Sequence, residues 1–353
     1  MKNFEFKGKL FGANIEIAVF GEDEEFSQEV THKAYWEGVR LESIFNFFDS
    51  KSDISKLNES RKMKMPSEFI EVLKKALELC RKTDGKYDVT LGKDFNLRKE
   101  GYVITGVGGS YNDVKIEGNL VELKNPDIVL DLGSIAKGYI TDMVGEKMKM
   151  LGIKEFLINS RGDILINGKR EHEIKIQHPR ISNESIATLK IKKGGLATSG
   201  DYKQYGKDYS ESHILNARAY ASVSVYAPTL MESDLYSTVF SVISKPEIEE
   251  ILKEKTMSKF KVLGIDKDLK KDTYNKFEKL IVSFGEDALM REDVDDYLSG
   301  EENLVGLKRS GDIDEEDEWV IDEEYSGTTG GGNFILPGKE HDPGHPDFIG
   351  GAS

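Results

Sequence analysis

Two oxygen-bearing side chains four residues apart, Asp234 and Thr238, form a pair that could do chemistry. On a helix this spacing places both on one face, one turn from each other. That face would offer a carboxylate and a hydroxyl to one hard cation such as Mg²⁺, which prefers oxygen ligands. Two structural roles stay open, because Asp234 could cap its helix and Thr238 could bond back to a helix carbonyl.

His213 is the natural candidate for acid–base chemistry. An imidazole with a pKa near ~6.5 can take a proton from a hydroxyl at neutral pH. The other histidines are predicted at the surface, in a loop before a proline, or in the C-terminal tail. They are His32, His172, His178, His341 and His345.

Lys137 lies in the stretch that organises the chain, residues 128–151. The apolar run Ile128–Leu132 predicts a buried strand, Gly133 and Ser134 predict a turn, and the residues after them predict an amphipathic helix. A strand, a glycine turn and a helix N-terminus can together hold an anion, because free backbone N–H groups and the helix dipole point to one spot. The alternative is an ordinary strand–helix unit with a solvated lysine.

The remaining pattern predicts a mixture of strands and helices. A hairpin is expected over residues 4–20, helices over 26–48 and 66–81, and a polar loop between them that reaches Asn58. A glycine turn is expected over 83–90 and a strand–turn–strand over 156–166. Further strands are predicted over 174–179, 186–191, 222–227 and 260–265, helices over 232–242 and 247–255, and a charged, partly helical segment over 267–298.

The composition bears on the partners and the cellular location of the protein. The 353 residues carry 49 Lys and Arg against 64 Asp and Glu, a net charge of −15, so nucleic acid and anionic membrane surfaces are poor general partners. Cys80 is alone, lies in a helical pattern and is predicted to be a small core residue. No signal peptide, lipobox or membrane-spanning run is visible, which predicts a cytoplasmic protein.

Five stretches, in this order along the chain, resemble signature segments of the FAD:protein FMN transferases, the ApbE family. Ordered agreement at five places is far more specific than any one segment, and the resemblance runs from near the N-terminus to about residue 265. The stretches are Ser52–Asn58 (SDISKLN), Thr83–Thr90 (TDGKYDVT), Asp131–Tyr139 (DLGSIAKGY), Thr198–Tyr202 (TSGDY) followed by His213–Arg218 (HILNAR), and Ser233–Thr238 (SDLYST).

The resemblance implies a fold and an activity. The fold would be α+β, a T-fold-like flavin transferase architecture with an antiparallel sheet and packed helices over residues 1–285. The composition of residues 286–353, acidic and glycine-rich, predicts a charged and largely disordered C-terminal extension. The implied reaction is Mg²⁺-dependent transfer of FMN from FAD to a threonine or serine hydroxyl of an acceptor protein, with release of AMP.

The resemblance also implies site residues. The metal ligands would be Asp234, Thr238 and the backbone carbonyl of Ala136, and the catalytic residues would be His213 and Arg218. The FAD contacts would come from polar or glycine positions in four segments: Ser52, Asn58, Asp88, Lys137, Ser199 and Gly200. For Asp88, a turn with satisfied side chains is an equal alternative.

The chain departs from the family pattern near His213. Asn216 stands where the family has an aspartate, Ala217 where it has proline, and Tyr220 where it has glycine. An asparagine can keep a hydrogen bond but not the charge. Two alternatives to the transferase therefore remain, namely an FAD pyrophosphatase that gives FMN and AMP, and a flavin-binding protein without chemistry.

A further similarity lies in the C-terminal extension. Residues 323–329 (EEYSGTT) resemble the acceptor sequence that these enzymes modify, D-x-x-[S/T]-G-A-T, in which the last threonine carries FMN. Thr329 is therefore a possible built-in acceptor, and a short flexible tether would raise its local concentration into the ~mM range. The alternative is a low-complexity linker.

Overall fold

The computed structural model describes residues 3–92, 108–181, 184–200 and 219–285. All of these lie within one compact unit, Met1–Glu301. The helices are α1 (Glu24–Phe45), α2 (Asp53–Ser60), α3 (Ser67–Lys82), α4 (Gly133–Met150), α5 (Leu230–Val242) and α6 (Lys245–Leu252). Short 3-10 helices cover Tyr111–Asp113, Lys255–Lys259 and Phe277–Leu280.

Fourteen strands are found in these ranges, and they form three antiparallel sheets. They are β1 (Asn3–Leu10), β2 (Ala13–Phe20), β3 (Lys62–Lys64), β4 (Val114–Glu117), β5 (Leu120–Leu123), β6 (Phe156–Ser160), β7 (Asp163–Asn167), β8 (His172–Gln177), β9 (Ser185–Ile191), β10 (Gly194–Gly200), β11 (Ser222–Ala227), β12 (Lys261–Ile265), β13 (Lys271–Tyr274) and β14 (Ile281–Phe284). The largest sheet has the order β1-β2-β6-β7-β10-β11-β12-β13, and the smaller sheets have the orders β14-β9-β8 and β3-β5-β4.

The eight-stranded sheet is covered on both faces, which explains why its central strands are apolar on both sides. Along β7, Leu165 joins the core cluster that includes the helices, while Ile164 and Ile166 join a second cluster with β8 and β9. On β12, Val262 belongs to the cluster with the helices and Leu263 to the second cluster. This follows from the two-residue period of a strand, and it yields a helix layer, a large sheet and a small sheet.

The predicted α+β fold, with an antiparallel sheet and packed helices, is confirmed. The predicted hairpin over residues 4–20 is β1–β2, and the strand predicted over 222–227 is β11 with the same bounds. Cys80 is fully buried, and burial raises the pKa of its thiol to about 12, as suits a core residue rather than a nucleophile. None of the helices in the described ranges has both the length and the apolarity needed to cross a bilayer.

Three local predictions were wrong. The loop predicted between α1 and Asn58 contains α2, an eight-residue helix that buries only Ile54 and Leu57, too few for a periodic signal. The strand predicted at Ile128–Leu132 is an extended segment with a single bridge, from Val129 to Leu91, although its alternate residues are buried. The partly helical segment predicted from residue 267 forms β13, a 3-10 helix and β14 as far as the description reaches, residue 285.

Candidate active site

The site lies where helices α4 and α5 meet. Gly138 on α4 is packed so closely that a Cβ there would lie 2.5 Å from the carbonyl oxygen of Leu230. Asp142, one turn further along α4, accepts hydrogen bonds from Leu230 N at 2.9 Å and Met231 N at 2.8 Å. The glycine permits the close approach and the carboxylate satisfies N–H groups at the start of α5 that lack a partner within their own helix.

Asp234 is turned into this junction rather than used as a helix cap. The cap of α5 is Thr229, whose hydroxyl accepts a hydrogen bond from Glu232 N. Asp234 Oδ2 instead accepts a hydrogen bond of 3.1 Å from the backbone N–H of Gly138. The alternative that Asp234 merely caps its own helix is therefore wrong.

A buried triad of charges forms the centre of the site. Lys137 Nζ lies 3.1 Å from Asp234 Oδ1 and 3.2 Å from Asp163 Oδ2. The Asp234 side chain is 4% exposed and that of Asp163 11%, whereas Lys137 is 29% exposed. The lysine predicted as a solvated cation or an FAD contact thus also neutralises part of a buried carboxylate pair.

The protonation of this triad follows from burial and the neighbouring charges. Burial alone would lower the pKa of Lys137, but Asp234 and Asp163 overcome it and hold that pKa above its ordinary value. Burial raises the pKa of the Asp163 carboxyl, and Asp234 acts in the same direction against the opposing effect of Lys137. The lysine is therefore charged at neutral pH.

Hydroxyl groups line the side of the site formed by β10 and α5. Ser199 Oγ lies 2.8 Å from Ser237 Oγ and 3.2 Å from Thr238 Oγ1. Thr238 also donates to the backbone oxygen of Asp234 at 3.3 Å, so the back-bond to a helix carbonyl is observed. That bond uses the hydroxyl proton of Thr238, so toward other groups its oxygen serves as an acceptor.

The predicted metal ligands come from these two helices. Within the described ranges no three His, Cys, Asp or Glu side chains are grouped to bind a metal. The predicted set instead combines the Asp234 carboxylate, the Thr238 hydroxyl and the carbonyl of Ala136, which immediately precedes Lys137. Three oxygen donors fit a hard cation, and among the described residues each side-chain oxygen of Asp234 accepts one hydrogen bond.

The N-terminus of α4 carries a second polar group. Tyr87 Oη lies 2.8 Å from Ser134 Oγ, while Asp131 Oδ1 accepts a hydrogen bond of 2.8 Å from Gly133 N. Burial raises the pKa of the Tyr87 phenol well above its ordinary value, so it stays protonated and can donate. The phenol and the serine hydroxyl can donate to a ligand at this helix N-terminus, whereas the Asp131 carboxylate already accepts from the N–H of Gly133.

Three predicted FAD contacts have structural partners. Ser52 caps α2 and is fully buried, with its hydroxyl accepting from Ser55 N. Asn58 donates to Leu130 O at 2.9 Å and accepts from Leu130 N at 2.8 Å.

Asp88, the third of these contacts, accepts from Thr90 N at 2.9 Å, Thr90 Oγ1 at 2.6 Å and Tyr111 N at 3.0 Å. These bonds join Asp88 to Thr90 in its own turn and to the 3-10 helix that begins at Tyr111. The alternative of a turn with satisfied side chains is therefore observed at Asp88.

His213 and Arg218, the predicted catalytic residues, lie outside the described residues, as does Thr329. The strands on either side of His213 and Arg218 in the sequence are described. Gly200 at the end of β10 pairs with Ser222 at the start of β11. The chain therefore leaves and rejoins the sheet next to Ser199, which contacts Thr238. Their roles stay predictions.

Sequence reasoning brought Lys137, Ser199, Asp234 and Thr238 together correctly but missed Asp163. In the sequence Asp163 ends an unremarkable hairpin turn, and only the pairing of β6 with β7 carries it to Lys137. Tyr87 and Ser237 were missed as well. Their signals were present, since both lie inside segments used for the family resemblance.

Known proteins resemble this chain over most of its length. The family model described as ApbE matches residues 11–262. An FAD:protein FMN transferase of Haemophilus influenzae is 25% identical over 269 residues, covering 66% of this chain and 78% of that protein. One of Salmonella typhimurium is 23% identical over 315 residues, covering 78% and 89%.

Solved structures share the fold. The ApbE protein of Thermotoga maritima aligns with a TM-score of 0.68 at 21% identity, over 79% of this chain and 99% of that one. The flavin transferase ApbE of Vibrio cholerae aligns with a TM-score of 0.67 at 23% identity, over the same shares of the two chains. The chain is an enzyme of the transferase class. It belongs to the ApbE family.

Proposed function

We propose that this chain transfers FMN from FAD to a threonine or serine hydroxyl of an acceptor protein and releases AMP. The observation that carries the proposal is the α4–α5 junction, where Lys137 and Asp234 lie within 3.1 Å and the hydroxyls of Ser199 and Thr238 lie 3.2 Å apart. The curated relatives, named FAD:protein FMN transferases, support the same reaction.

The reaction is a phosphoryl-type transfer. The acceptor oxygen forms a bond to the phosphorus of the FMN part, the bond between that phosphorus and the bridging oxygen breaks, and AMP leaves with the electron pair. The protein must orient the attacking hydroxyl and neutralise charge on the pyrophosphate. In our proposal Lys137, Ser199 and Gly200 contact the phosphates, beside the donors at the N-terminus of α4.

We assign the cation site to Asp234, Thr238 and the carbonyl of Ala136, with Mg²⁺ as the expected ion. When bound, the cation would neutralise charge on the pyrophosphate oxygens. Gly138 N holds the Asp234 carboxylate in a fixed orientation through its 3.1 Å hydrogen bond. The close α4–α5 contact brings Asp234 to Lys137 and Gly138, the two residues that follow Ala136.

We assign His213 as the base that takes the proton from the attacking hydroxyl, and Arg218 as a second catalytic residue. Both belong to the residues between Gly200, the end of β10, and Ser222, the start of β11. Asn216 replaces the aspartate of the family pattern there, so we expect a slower reaction than in members that keep it.

One assay separates the proposal from its two alternatives. The protein is incubated with FAD, Mg²⁺ and a protein carrying the D-x-x-[S/T]-G-A-T acceptor sequence, and the products are identified by mass spectrometry. Covalently flavinylated acceptor with AMP supports the proposal. Free FMN with AMP indicates a pyrophosphatase, and unchanged FAD bound to the protein indicates a flavin-binding protein.

We propose Thr329 of this chain as one acceptor. The support is the resemblance of residues 323–329 to the modified sequence, with Glu323 in place of the aspartate and Thr328 in place of the alanine. The purified chain is incubated with FAD and Mg²⁺, and the peptide that covers residues 321–333 is analysed.

An FMN adduct that is lost in Thr329→Ala and kept in the matched control Thr328→Ala supports this assignment. If the peptide stays unmodified while the enzyme flavinylates another acceptor, Thr329 is not an acceptor. The proposal for the enzyme itself is not affected by that result.

A further inference from the structure

Asp163 connects three elements at the site, although it is no ligand in the assignment above. It begins β7, directly after the turn at Arg161 and Gly162, both of which have positive φ values of 57° and 95°. Its Oδ2 lies 3.2 Å from Lys137 Nζ on α4, and its Oδ1 lies 3.4 Å from Thr198 N on β10. The carboxylate therefore joins strand β7 to helix α4 through the lysine.

The contact with Lys137 outweighs the contact with β10. An N–H···O distance of 3.4 Å exceeds the usual range of about 2.7–3.2 Å, so Thr198 N contributes little. The lysine contact joins two opposite charges that are largely removed from water, where screening is weak. Holding Lys137 is thus the main physical effect of Asp163.

Lys137 has two competing partners. Its ammonium lies 3.2 Å from Asp163 and 3.1 Å from Asp234, so the two carboxylates share it. Two carboxylates and one ammonium leave the triad with one net negative charge. Without the charge of Asp163, the ammonium would pair with Asp234 only, and the remaining pair would be neutral.

We propose that Asp163 is a positioning residue that shares the ammonium of Lys137 and so keeps Asp234 available to a divalent cation. When a cation binds Asp234, Lys137 retains Asp163 as its partner and no buried charge is left unpaired. This inference rests on the proposed function, because it takes Asp234 as the cation ligand.

The test is direct cation binding, measured by titration calorimetry with Mg²⁺ or Mn²⁺ on the full chain without FAD. Asp163→Asn keeps the size of the side chain and an oxygen for Thr198 N, and replaces the charged oxygen that accepts from Lys137 with an uncharged amide nitrogen. We expect the affinity for the cation to fall by about 10–100-fold, the usual effect of losing a group that supports a ligand. Flavin transfer by this variant should recover at high cation concentration.

The matched control is Glu122→Gln, which removes a carboxylate paired with Lys62 at 3.1 Å on the separate β3-β5-β4 sheet. It should bind the cation as the unmodified chain does. Lys137→Met gives an independent test of opposite sign. Because it removes a positive charge beside Asp234, the cation should bind more tightly.

Equal cation affinity of Asp163→Asn and the unmodified chain overturns the inference while leaving the metal assignment intact. Weaker binding by Lys137→Met also overturns it, even if Asp163→Asn fails to fold. An unmodified chain that binds no divalent cation overturns both this inference and the metal site of the proposed function.

Discussion

The backbone N–H of Gly138 donates a hydrogen bond of 3.1 Å to Asp234 Oδ2, and this bond joins helix α4 to helix α5 at the site. The bond requires the helices to lie closer together than a larger residue would allow. One residue earlier, Lys137 contacts the other oxygen of the same carboxylate. The backbone and a side chain of one helix thus orient the carboxylate of another.

Gly138→Ala should separate the two helices. Its Cβ would lie 2.5 Å from Leu230 O and 2.7 Å from Met231 Cα, and these backbone atoms cannot move aside as a flexible side chain would. We expect a loss of about 1–3 kcal/mol in the free energy of unfolding, measured with urea. Met150→Ala, at a 79% exposed position on the same helix, should change it by less than about 0.5 kcal/mol.

Asp142 should make stability depend on pH. Burial raises the pKa of its carboxyl to about 6 from an ordinary value of 3.8, so the folded chain binds more protons than the unfolded chain between these values. The free energy of unfolding should therefore fall as the pH rises from about 4 to about 6, by about 1.4 kcal/mol per unit of pKa difference.

The measurement compares urea unfolding of the unmodified chain and Asp142→Asn at a series of pH values. Since the amide does not titrate, this contribution to the slope should disappear in the variant. The same slope in both proteins would show that Asp142 makes no such contribution.

Asn58 should contribute to stability whether or not FAD is bound. Asn58→Asp keeps the oxygen that accepts from Leu130 N but places the second oxygen against Leu130 O, where the amide donated. We expect a loss of about 1–3 kcal/mol in the free energy of unfolding without ligand. Asn112→Asp, at an exposed position, serves as the control and should stay within about 0.5 kcal/mol. If Asn58→Asp unfolds with the same free energy as the unmodified chain, Asn58 has no structural role and is a ligand contact alone.

Asp234→Ala should abolish cation-dependent turnover. The variant loses the charged ligand of the proposed site, and a bound cation is worth several kcal/mol to such a transfer, so the rate should fall at least about 100-fold. FAD binding, measured by flavin fluorescence, should change less, because most of the proposed contacts lie elsewhere. Equal turnover at saturating Mg²⁺ would contradict the ligand assignment.

Local patterns in the sequence predicted most elements of the fold, and the reasons are physical. The helix predicted from Pro66 is α3 because apolar residues recur along one face, and the hairpin before α1 follows strict alternation. Helix α2 was missed because eight residues hold too few turns for such a pattern. Its cap was nevertheless visible, since the hydroxyl of Ser52 accepts from Ser55 N.

The candidate site could be predicted only where its residues share a local segment. Asp234 and Thr238 are four residues apart on one helix, so their proximity follows from helix geometry. Lys137 is 26 residues from Asp163 and 97 from Asp234, and these contacts depend on how the sheet and two helices pack. No spacing in the sequence encodes that packing, so Asp163 was not found.

The central claim is that the chain couples cleavage of FAD to flavin attachment on a protein hydroxyl, and its most direct test is stoichiometry. The full chain is incubated with FAD, Mg²⁺ and an acceptor protein, and AMP is quantified beside covalently bound flavin. We predict one AMP for each flavin attached, with both products absent in Asp234→Ala. Release of AMP in large excess over attached flavin, or with no flavin attached at all, would contradict the claim.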